Sequence, residues 1–473
     1  MTRAAADVGR GLAAAREARA IARGERIHVL GAAGAGASAA VLHAQRAGAA
    51  VSGCDAGGPS PYTAALAEAG VALEWEHSAQ HVTDGPPDRL AVTKALTAID
   101  PDHPELRAAA DLGIPAEPWQ QVIADAAATT GQRLVAVAGT HGKSTTSGWI
   151  VDMLVRAGRD PSAFVGALLH SDLVGDPPST ARWGRGDAFV VEADEYAGNF
   201  DPYRPDLIVL LNAEWDHPDV FADEEAVLSA FEAWIRRAPA GATLVADTTG
   251  AGVRRIVERL RLDWHGAVVD APAEIPEGWA VGLPGPANAA NARAVCGAAR
   301  ALGVTDAALQ ESLARYRGVG RRLELKGDIG GLVVLDDYGH HPTAIALTLE
   351  AVRQKYPGRP VWAVYEPLTY HRTALMLERF ADVLAGSDHV LIADIWAGRD
   401  TDTSITSAAA LAEAVTRRGG PAAAAPGTVE QTAEHLIANV RSGDVVLVMG
   451  GGRSYVIADR LVAAFRERHG SAS

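Results

Sequence analysis

One stretch, residues 134–150, constrains the fold of this chain more than any other. It reads LVAVAGTHGKSTTSGWI, in which an apolar run meets a glycine loop and a helical pattern follows. A strand, a loop and a helix N-terminus in that order direct backbone N–H groups and the positive end of the helix dipole at an anion. Lys143 is placed to reach the β- and γ-phosphates, and Ser144 or Thr145 to offer Mg²⁺ a hydroxyl oxygen. The stretch predicts a nucleoside-triphosphate site, and the simpler alternative is a glycine-rich turn that binds nothing.

The length and the order of the elements indicate several domains. The chain has 473 residues, of which 48% are hydrophobic and 21% charged. This is too long for one ordinary hydrophobic core. Strand-like and helix-like segments alternate along the chain, which favours parallel sheets covered by helices. We therefore predict an α/β protein of three tandem domains: a Rossmann-like N-terminal domain, a central P-loop ATPase domain and a C-terminal Rossmann-like domain.

The boundaries are placed where the alternating series begins again. Residues 1–24 are rich in Arg and Ala and lack the apolar region of a signal peptide, so we expect a surface helix or a tail there. The three domains are predicted at 25–128, 129–316 and 317–473. Within the last of them, a loop is predicted at 421–427, where proline and glycine interrupt the pattern.

Charge, cysteine content and hydropathy exclude several classes of protein. The net charge of −15 argues against a nucleic-acid-binding surface. Cys54 and Cys296 are too few for a disulfide framework, which fits a reducing compartment. No apolar run reaches about 18 residues, so no membrane span is expected. These features favour a cytoplasmic protein whose partners are small molecules.

A second glycine loop follows the first predicted strand. Gly31, Gly34 and Gly36 fall as G-x-x-G-x-G, Ser38 follows them, and Asp55 ends the next strand. The dinucleotide fingerprint has the order G-x-G-x-x-G, with an acid about 20 residues further on. Because the glycines here are out of that order, we favour a diphosphate at this helix start over a nicotinamide dinucleotide.

Two acidic clusters follow the apolar strands of the central domain. Glu192 begins the first, in EADE, and His217 lies in the second, in NAEWDHPD. Ligands of open α/β sheets bind at the carboxyl ends of the strands, and phosphoryl transfer needs a cation with oxygen ligands there. Glu192 and His217 are thus candidate metal ligands. The alternatives are a solvated acidic loop and an exposed histidine.

Two further clusters carry amide and charged groups. Asn288 and Asn291 are spaced to share one helix face, where amides can read an adenine edge; the alternative is an N-cap and a surface residue. Near the last domain's first strands lie Arg321-Arg322 and DDYGHHPT, and Arg372 follows the next strand. A planar guanidinium binds a carboxylate with two hydrogen bonds, so Arg372 is a candidate for holding an amino acid. A charged domain interface is the alternative.

Taken together, these motifs resemble those of the Mur ligases, the ATP-dependent enzymes that add amino acids to the peptidoglycan precursor. The similarity extends from Ile27 to Leu461 and keeps the motif order IHVLGAAGAGAS, GTHGKSTTS, VEADEY, NAEWDHPD, PGPANAANA and DDYGHHPT. Of these, the second and the last are specific. Only Thr140 and His141 separate the two glycines of GTHGKSTTS, whereas the common P-loop has four residues there.

The resemblance implies a reaction and its partners. ATP and Mg²⁺ would be the cofactors, and ATP would phosphorylate the carboxylate of UDP-N-acetylmuramate. The amine of an amino acid, L-alanine by the closest match of motifs, would then displace phosphate. The alternatives are ligation of a preformed tripeptide in wall recycling and a non-catalytic protein that binds wall-precursor nucleotides. A monomer or a homodimer is expected, with no nucleic acid or membrane partner.

The same resemblance assigns residues to each partner. Lys143, Glu192 and His217 would be catalytic. The ATP contacts would be Gly139, Thr140, His141, Gly142, Lys143, Ser144, Thr145, Asn288, Asn291, Arg322 and Asp337. The UDP substrate would meet Gly31, Gly34, Gly36, Ser38 and Asp55. The amino acid would meet Tyr338, His341 and Arg372, and the metal would be held by Ser144, Glu192 and His217.

One more metal-site residue is inferred from a difference. Several related ligases carry a carbamylated lysine about 15 residues after the metal-binding histidine. Here no lysine lies between Lys143 and Lys326, and the corresponding position holds Glu232. We therefore expect the Glu232 carboxylate to supply the missing negative charge to the metal site.

Overall fold

The computed structural model describes residues 8–470, apart from 218, 219, 399, 401 and 421. Three sheets, of five, seven and six strands, follow one another along the chain, and helices connect nearly all strands. This confirms the predicted α/β fold of three Rossmann-like parts. The domain boundaries themselves stay predictions.

The first sheet is entirely parallel and has the order β3-β2-β1-β4-β5. Its strands are β1 (Arg26–Leu30), β2 (Ala50–Cys54), β3 (Leu73–Glu74), β4 (Arg89–Val92) and β5 (Ala116–Pro118). Its helices are α1 (Ala35–Arg46), α2 (Ala64–Glu68), α3 (Gln80–Thr83), α4 (Lys94–Ile99), α5 (Pro104–Asp111) and α6 (Trp119–Thr130). The order places β1 at the centre, so the glycine loop that follows β1 lies at the point where the strand order reverses.

The second sheet has the order β12-β11-β10-β6-β9-β7-β8, with only β8 antiparallel to its neighbour. Its strands are β6 (Arg133–Ala138), β7 (Ser162–Leu169), β8 (Ser179–Arg182), β9 (Ala188–Ala193), β10 (Leu207–Leu210), β11 (Thr243–Ala246) and β12 (Ala267–Asp270). The accompanying helices are α7 (Lys143–Arg156), α8 (Ser171–Val174), α9 (Glu224–Arg236), α10 (Ala251–Leu260), α11 (Pro286–Leu302) and α12 (Asp306–Arg315). Because β6 pairs with both β9 and β10, the P-loop and the two acidic clusters emerge side by side.

The third sheet has the order β13-β14-β18-β15-β16-β17 and is parallel except for the pair β13–β14. Its strands are β13 (Glu324–Ile329), β14 (Leu332–Asp337), β15 (Val361–Glu366), β16 (His389–Ala393), β17 (Ala423–Gly427) and β18 (Val445–Gly450). Its helices are α13 (Pro342–Lys355), α14 (Tyr370–Leu375), α15 (Leu377–Leu384), α16 (Ala408–Arg417), α17 (Val429–Asn439) and α18 (Tyr455–Gly470). The predicted loop at 421–427 is wrong over the residues of β17, while Pro421 lies outside the described residues. As an edge strand, β17 tolerates proline, which cannot donate to a neighbour.

The chain divides into two compact units. One contains residues 1–282 and 290–319, and the other contains residues 283–289 and 320–473. Within the second unit, Gly285 N donates to Gln354 Oε1 over 2.9 Å. A Cβ at Gly285 would lie 2.6 Å from that of Ala351, which explains why residues 283–289 group with this unit.

The N-terminal segment was expected to be a surface helix or a tail, and it is not a helix over its described residues 8–24, so the first alternative is wrong there; residues 1–7 lie outside the described part. Ile21 is buried, and its N–H donates to Thr129 Oγ1 over 2.8 Å. Arg16 makes two hydrogen bonds to Asp125, at 2.7 and 3.0 Å. Arg16 thus pairs with an acid of α6 and also lies 3.2 Å from Glu117 of β5, while Arg19 pairs with Glu25 just before β1.

The core of each sheet is built from Val, Leu, Ile and Ala of strands covered on both faces. The strands β6, β9, β10, β14, β15 and β18 are buried over almost their entire length. Such continuous apolar runs are typical of parallel strands between helices. No described helix is both long and apolar enough to cross a membrane.

Candidate functional site

The P-loop is held by hydrogen bonds to the segment that follows β10. His141 N donates to Asn212 Oδ1 over 2.8 Å, and the Asn212 amide donates back to the His141 carbonyl over 3.0 Å. Thr140 Oγ1 donates to the Glu214 carbonyl and accepts from the Glu214 N–H. A Cβ at Gly139, whose φ is +142°, would lie 3.1 Å from Asn212 backbone atoms. The structure thus brings GTHGKSTTS and the second acidic cluster together, as the sequence predicts.

Lys143 begins α7 and lies at the centre of a charged group. Its Nζ donates to the Gly139 carbonyl over 2.7 Å and lies 2.9 Å from Glu195 Oε2 and 3.7 Å from Asp194 Oδ1. Burial disfavours the charge of Lys143, but the neighbouring carboxylates outweigh burial and hold its pKa above the ordinary lysine value. Lys143 therefore stays cationic, as a group that stabilises phosphate charge must.

Glu192 and Ser144 form a second pair beside this lysine. The Ser144 hydroxyl donates to Glu192 Oε1 over 3.0 Å, and Gly166 N donates to Glu192 Oε2 over 2.6 Å. A Cβ at Gly166 would lie 2.8 Å from Glu192 Oε2, so only glycine lets β7 approach so closely. The carboxylate and the hydroxyl are oxygen donors of the kind that Mg²⁺ prefers.

A third group combines the two acidic clusters. One ligand atom from each of Asp194, Glu195 and His217 lies within 4.8 Å of the others. His217 Nε2 is 3.8 Å from Glu195 Oε1 and 3.8 Å from Asp216 Oδ2. The ring stands edge-on to Tyr196, with centroids 4.9 Å apart. Two carboxylates and an imidazole suit a divalent cation, and His217 is placed where the sequence predicts. Pro218 and Asp219 of the same motif lie outside the described residues.

Glu232 does not join these groups, and the prediction that it does is wrong. It lies on α9, where its carboxylate is 2.9 Å from Arg236 and 3.4 Å from Arg259. The buried face of α9 is formed by apolar residues such as Phe231 and Ile235. Spacing from the histidine along the chain could not show which face of α9 Glu232 occupies.

The two asparagines of α11 differ in their surroundings. A Cβ at Gly142 would lie 2.4 Å from Asn291 Oδ1, so Asn291 borders the P-loop. Asn288 donates to the Pro284 carbonyl over 2.8 Å, a hydrogen bond that supports the start of α11. Asn291 is therefore placed at the P-loop, whereas Asn288 lies in the first turn of α11 and is not its N-cap.

The first glycine loop is shaped by Asp55. Asp55 Oδ2 accepts from Ala33 N over 3.0 Å, and Gly31 takes up a φ of +77° where the loop leaves β1. Gly34 precedes the first residue of α1. The structure thus brings Gly31, Gly34 and Asp55 together at one helix start.

Gly36 and Ser38 face the protein interior, and their predicted contact with the UDP substrate is corrected. A Cβ at Gly36 would lie 2.1 Å from the ring of Trp119. Ser38 is fully buried and lies 3.2 Å from Thr180 Oγ1. These small residues let α1 pack closely on its neighbours. In the sequence, small residues needed for packing look the same as the small residues of a ligand-binding glycine loop.

In the second unit, the predicted residue Asp337 ends β14, Tyr338 and His341 follow that strand, and Arg322 lies before β13. Asp337 accepts from Leu323 N and Gly339 N, and burial raises its pKa although Arg322 opposes the rise. The guanidinium carbon of Arg322 is 4.9 Å from the ring centroid of Tyr338. His341 Nδ1 accepts from Thr343 N, so this side chain caps the N-terminus of α13.

Arg372 lies on α14 and is buried. A buried guanidinium is well suited to bind a carboxylate, because hydrogen bonds to it gain strength away from water.

The glycine-rich loop after β18 belongs to this cluster and was not predicted. Arg321 Nη2 donates to the Gly450 carbonyl over 2.7 Å and to Ser454 Oγ over 2.8 Å. Glu366 Oε2 accepts from Ser454 N over 2.6 Å. The signal was present in the sequence as GGGRS directly after an apolar strand, the same arrangement as in the P-loop.

Comparison with known proteins gives consistent matches along the chain. The model of the Mur ligase family, catalytic domain, matches residues 26–130, and that of the Mur ligase, glutamate ligase domain, matches residues 321–452. The UDP-N-acetylmuramate–L-alanine ligase of Frankia casuarinae is 34% identical, over 93% of this chain and 98% of that protein. The enzyme of the same name from Acidothermus cellulolyticus is 35% identical, over 94% and 95%.

Solved structures show the same fold. The UDP-N-acetylmuramate-alanine ligase of Thermotoga maritima superposes with a TM-score of 0.77 at 23% identity, covering 95% of this chain and all of that one. A murein peptide ligase of Psychrobacter arcticus gives a TM-score of 0.69 at 23% identity, covering 93% and 99%.

Proposed function

Because the chain belongs to the Mur ligase family, we propose that it uses ATP to join L-alanine to the carboxylate of UDP-N-acetylmuramate. The observation that carries the proposal is the similarity of this chain to curated relatives over nearly the full length of both. Eight curated relatives named for that reaction are 32–35% identical to the chain, which covers 95–99% of their own length. The Lys143 site supplies the chemistry that such a reaction requires.

The proposed reaction has two steps. A carboxylate oxygen of the substrate attacks the γ-phosphorus of ATP, the bond from that phosphorus to the bridging oxygen of the β-phosphate breaks, ADP leaves, and an acyl phosphate forms. The amine nitrogen of the amino acid then attacks the carbonyl carbon, loses a proton, and expels inorganic phosphate. Lys143 stabilises the charge on the transferred group, and the N–H groups of the P-loop and of the start of α7 orient it.

The metal ligands proposed here are those whose chemistry fits Mg²⁺. Ser144 and Glu192 offer a hydroxyl and a carboxylate beside the P-loop, and Asp194, Glu195 and His217 form a second group. When bound, Mg²⁺ would offset the negative charge of the nucleotide phosphates. Lys143 adds a fixed positive charge beside these ligands, so the chain itself offsets part of the negative charge of the nucleotide phosphates.

The remaining partners are assigned to the other clusters. Gly31, Gly34 and Asp55 would receive the UDP substrate at the start of α1, as the helix dipole favours. Asn291 would meet the nucleotide beside the P-loop, with Asn288, Arg322 and Asp337 as further nucleotide contacts. Tyr338, His341 and Arg372 would bind the amino acid, whose carboxylate suits Arg372. We place the activity in the cytoplasm, where ATP is available, for a monomer or a homodimer.

The test is release of inorganic phosphate from ATP in the presence of UDP-N-acetylmuramate and either one of a panel of amino acids or the wall tripeptide. We expect phosphate release that depends on L-alanine and yields a product heavier than the substrate by one alanine residue. Turnover only with the wall tripeptide would show that the amine substrate is this peptide and not L-alanine. If the protein binds ATP but turns over with no amine, ligase activity would be contradicted and the protein would be a non-catalytic nucleotide-binding protein.

A further inference from the structure

Six side chains capable of binding a transition metal converge on one face of the first sheet. They come from β1, the end of β2, the segment around α3, and the start of α5, and they are His28, Cys54, His77, His81, His103 and Glu105. The nucleotide site and the proposed reaction use none of them.

Glu105 lies at the centre of this group, which we call the histidine cluster. Its Oε2 is 2.9 Å from His28 Nε2, and its Oε1 is 3.2 Å from His81 Nδ1. Cys54 Sγ is 3.1 Å from Glu105 Oε1 and 3.3 Å from His77 Nδ1. One ligand atom from each of His28, Cys54, His81 and Glu105 lies within 4.8 Å of the others.

The distances from the Glu105 carboxylate, 2.9 Å to His28, 3.1 Å to Cys54 and 3.2 Å to His81, are slightly shorter than those between ligand atoms around one tetrahedral ion. Zinc bonds of about 2.0–2.3 Å place neighbouring ligand atoms roughly 3.3–3.8 Å apart. The four side chains therefore need only small shifts to surround a common centre. The other nitrogen of the His28 ring is 2.8 Å from Ser52 Oγ, the kind of second contact that orients a metal-binding imidazole.

The charges favour a cation in the cluster. Glu105 is fully buried, and among the described residues its ion pairs are to histidines alone, His28, His77 and His81. A buried carboxylate needs a compensating positive charge. A divalent ion with one thiolate, one carboxylate and two neutral imidazoles forms a neutral group, and binding releases the Cys54 thiol proton.

His103 supplies an independent observation. The residue is 1% exposed, and neither of its ring nitrogens has a hydrogen-bond partner among the residues that the structure describes. Its ring stands edge-on to that of His77, with centroids 4.4 Å apart, and its ligand atom groups with those of His77 and Glu105. Buried polar groups without partners are rare and call for an explanation such as an ion.

We propose that His28, Cys54, His81 and Glu105 bind a transition-metal ion, with His77 and His103 beside them as additional donors. A thiolate with imidazoles and a carboxylate selects Zn²⁺ over Mg²⁺ or Ca²⁺, which prefer oxygen ligands. The site is separate from the group of Asp194, Glu195 and His217.

The site would stabilise the first glycine loop. The Cys54 carbonyl accepts hydrogen bonds from Gly31 N and Ala32 N, at 3.0 and 3.1 Å, and its neighbour Asp55 accepts from Ala33 N. An ion fixed on the Cys54 side chain therefore holds the strand end on which the loop depends. Its role is structural, in support of the loop that we assign to the UDP substrate.

The test is metal binding by the full-length protein, which does not depend on ligase activity. Protein purified without chelator should contain one equivalent of zinc by mass spectrometry. After exchange into Co²⁺, it should show a thiolate-to-cobalt charge-transfer band in the near ultraviolet and the visible bands of tetrahedral Co²⁺. No bound ion, or Co²⁺ spectra without the thiolate band, would overturn the proposal.

Matched variants identify the ligands. Cys54→Ser should abolish the thiolate band, while Cys296→Ser, which changes the other buried cysteine, should keep it. His217→Gln should also keep the band, because it changes only the nucleotide site. His81→Gln, at a partly exposed position, should weaken Co²⁺ affinity at least about tenfold and provides the test if Cys54→Ser does not fold. Equal spectra for both cysteine variants, or unchanged affinity in His81→Gln, would contradict the assignment.

Discussion

Lys143 Nζ lies 2.9 Å from Glu195 Oε2, and both side chains are almost entirely withdrawn from solvent. Each charge depends on the other. Burial raises the pKa of Glu195, while Lys143 and His217 oppose that rise. The lysine, in turn, keeps its proton because the carboxylates of Glu195 and Asp194 offset its burial. This pair therefore sets the charge that the P-loop presents to a triphosphate.

Removal of the lysine amine tests the electrostatic role. We expect Lys143→Ala to lower kcat at least about 100-fold, the scale of losing one preorganised contact to developing charge. The measurement is phosphate release at saturating ATP, with circular dichroism to confirm the fold. Lys355→Ala, at an exposed position on α13, should retain wild-type turnover. A near-wild-type rate for Lys143→Ala would remove this residue from the mechanism.

Removing the charge of Glu195, the partner of Lys143, should change the pH dependence of kcat. Glu195→Gln keeps the size of the side chain but removes the charge that holds up the pKa of Lys143. Burial then dominates and lowers that pKa, so the lysine loses its proton at lower pH. We expect the alkaline loss of kcat to begin at lower pH than in the wild type, as measured by a pH–rate profile. The exposed change Glu350→Gln should leave the profile unshifted.

The two glutamates predicted to bind metal should differ in effect. Glu192 pairs with Ser144 beside the P-loop, whereas Glu232 pairs with Arg236 and Arg259. Glu192→Gln should raise the Mg²⁺ concentration for half-maximal activity by at least about tenfold. Glu232→Gln should leave that concentration unchanged. A Mg²⁺ titration of the ligase reaction measures both, and a large shift for Glu232→Gln would restore the original prediction.

The glycines of the first loop offer a contrast between packing and binding. In Gly36→Ala the new methyl group would meet the rigid ring of Trp119, which itself packs edge-on against Phe164. We expect a loss of about 1–3 kcal/mol in the free energy of unfolding, partly offset by the better helix propensity of alanine. Denaturant unfolding measures it.

The matched change is Gly34→Ala. Gly34 has φ −75° and ψ 153°, which alanine adopts freely, and the nearest atom to a new Cβ is 3.4 Å away. This variant should keep its stability and lose affinity for the UDP substrate. Equal losses of stability in the two variants would contradict the distinction between the packing and the binding glycine.

The fold could be predicted from the sequence because its strongest signals are local. Apolar strands that end in glycine loops or acids occur at β1, β6, β9 and β10, and each of them is where the pattern indicates. The strand signal of β7 is weaker because Gly166, which admits the Glu192 carboxylate, interrupts its apolar pattern. β17 was missed because alanine and proline give little strand signal, and its place at a sheet edge is a property of the whole fold.

The candidate site was predictable in part for the same reason. Residues within one motif, such as Lys143 and Ser144, lie together by virtue of their spacing. Gly36, Ser38 and Glu232 also fit motif spacing, but spacing does not say which face of a helix a residue occupies. The histidine cluster could not be predicted from the sequence because its members lie up to 77 residues apart, as His28 and Glu105 do. Only the fold brings them together.

The contact of α1 with β7 should make stability depend on pH. His43 Nε2 donates to the Ala163 carbonyl over 2.9 Å, and its other ring nitrogen, Nδ1, is buried with no partner in the described part of the chain. Protonation would place an unpaired donor in the core, and burial accordingly lowers the pKa of His43 to about 4. In the unfolded chain an ordinary histidine has a pKa near 6.5.

Between these two values the unfolded chain binds a proton that the folded chain does not, so the contribution of His43 to stability falls as the pH is lowered from about 6.5 to 4. The full loss is about 3.5 kcal/mol, at about 1.4 kcal/mol per pH unit. His43→Gln keeps an N–H donor for Ala163 but cannot titrate, so its unfolding free energy should fall less steeply than that of the wild type over this range. Denaturant unfolding at a series of pH values measures the difference, with the exposed His265→Gln as control. Parallel curves for His43→Gln and the wild type would show that His43 is not the group that titrates.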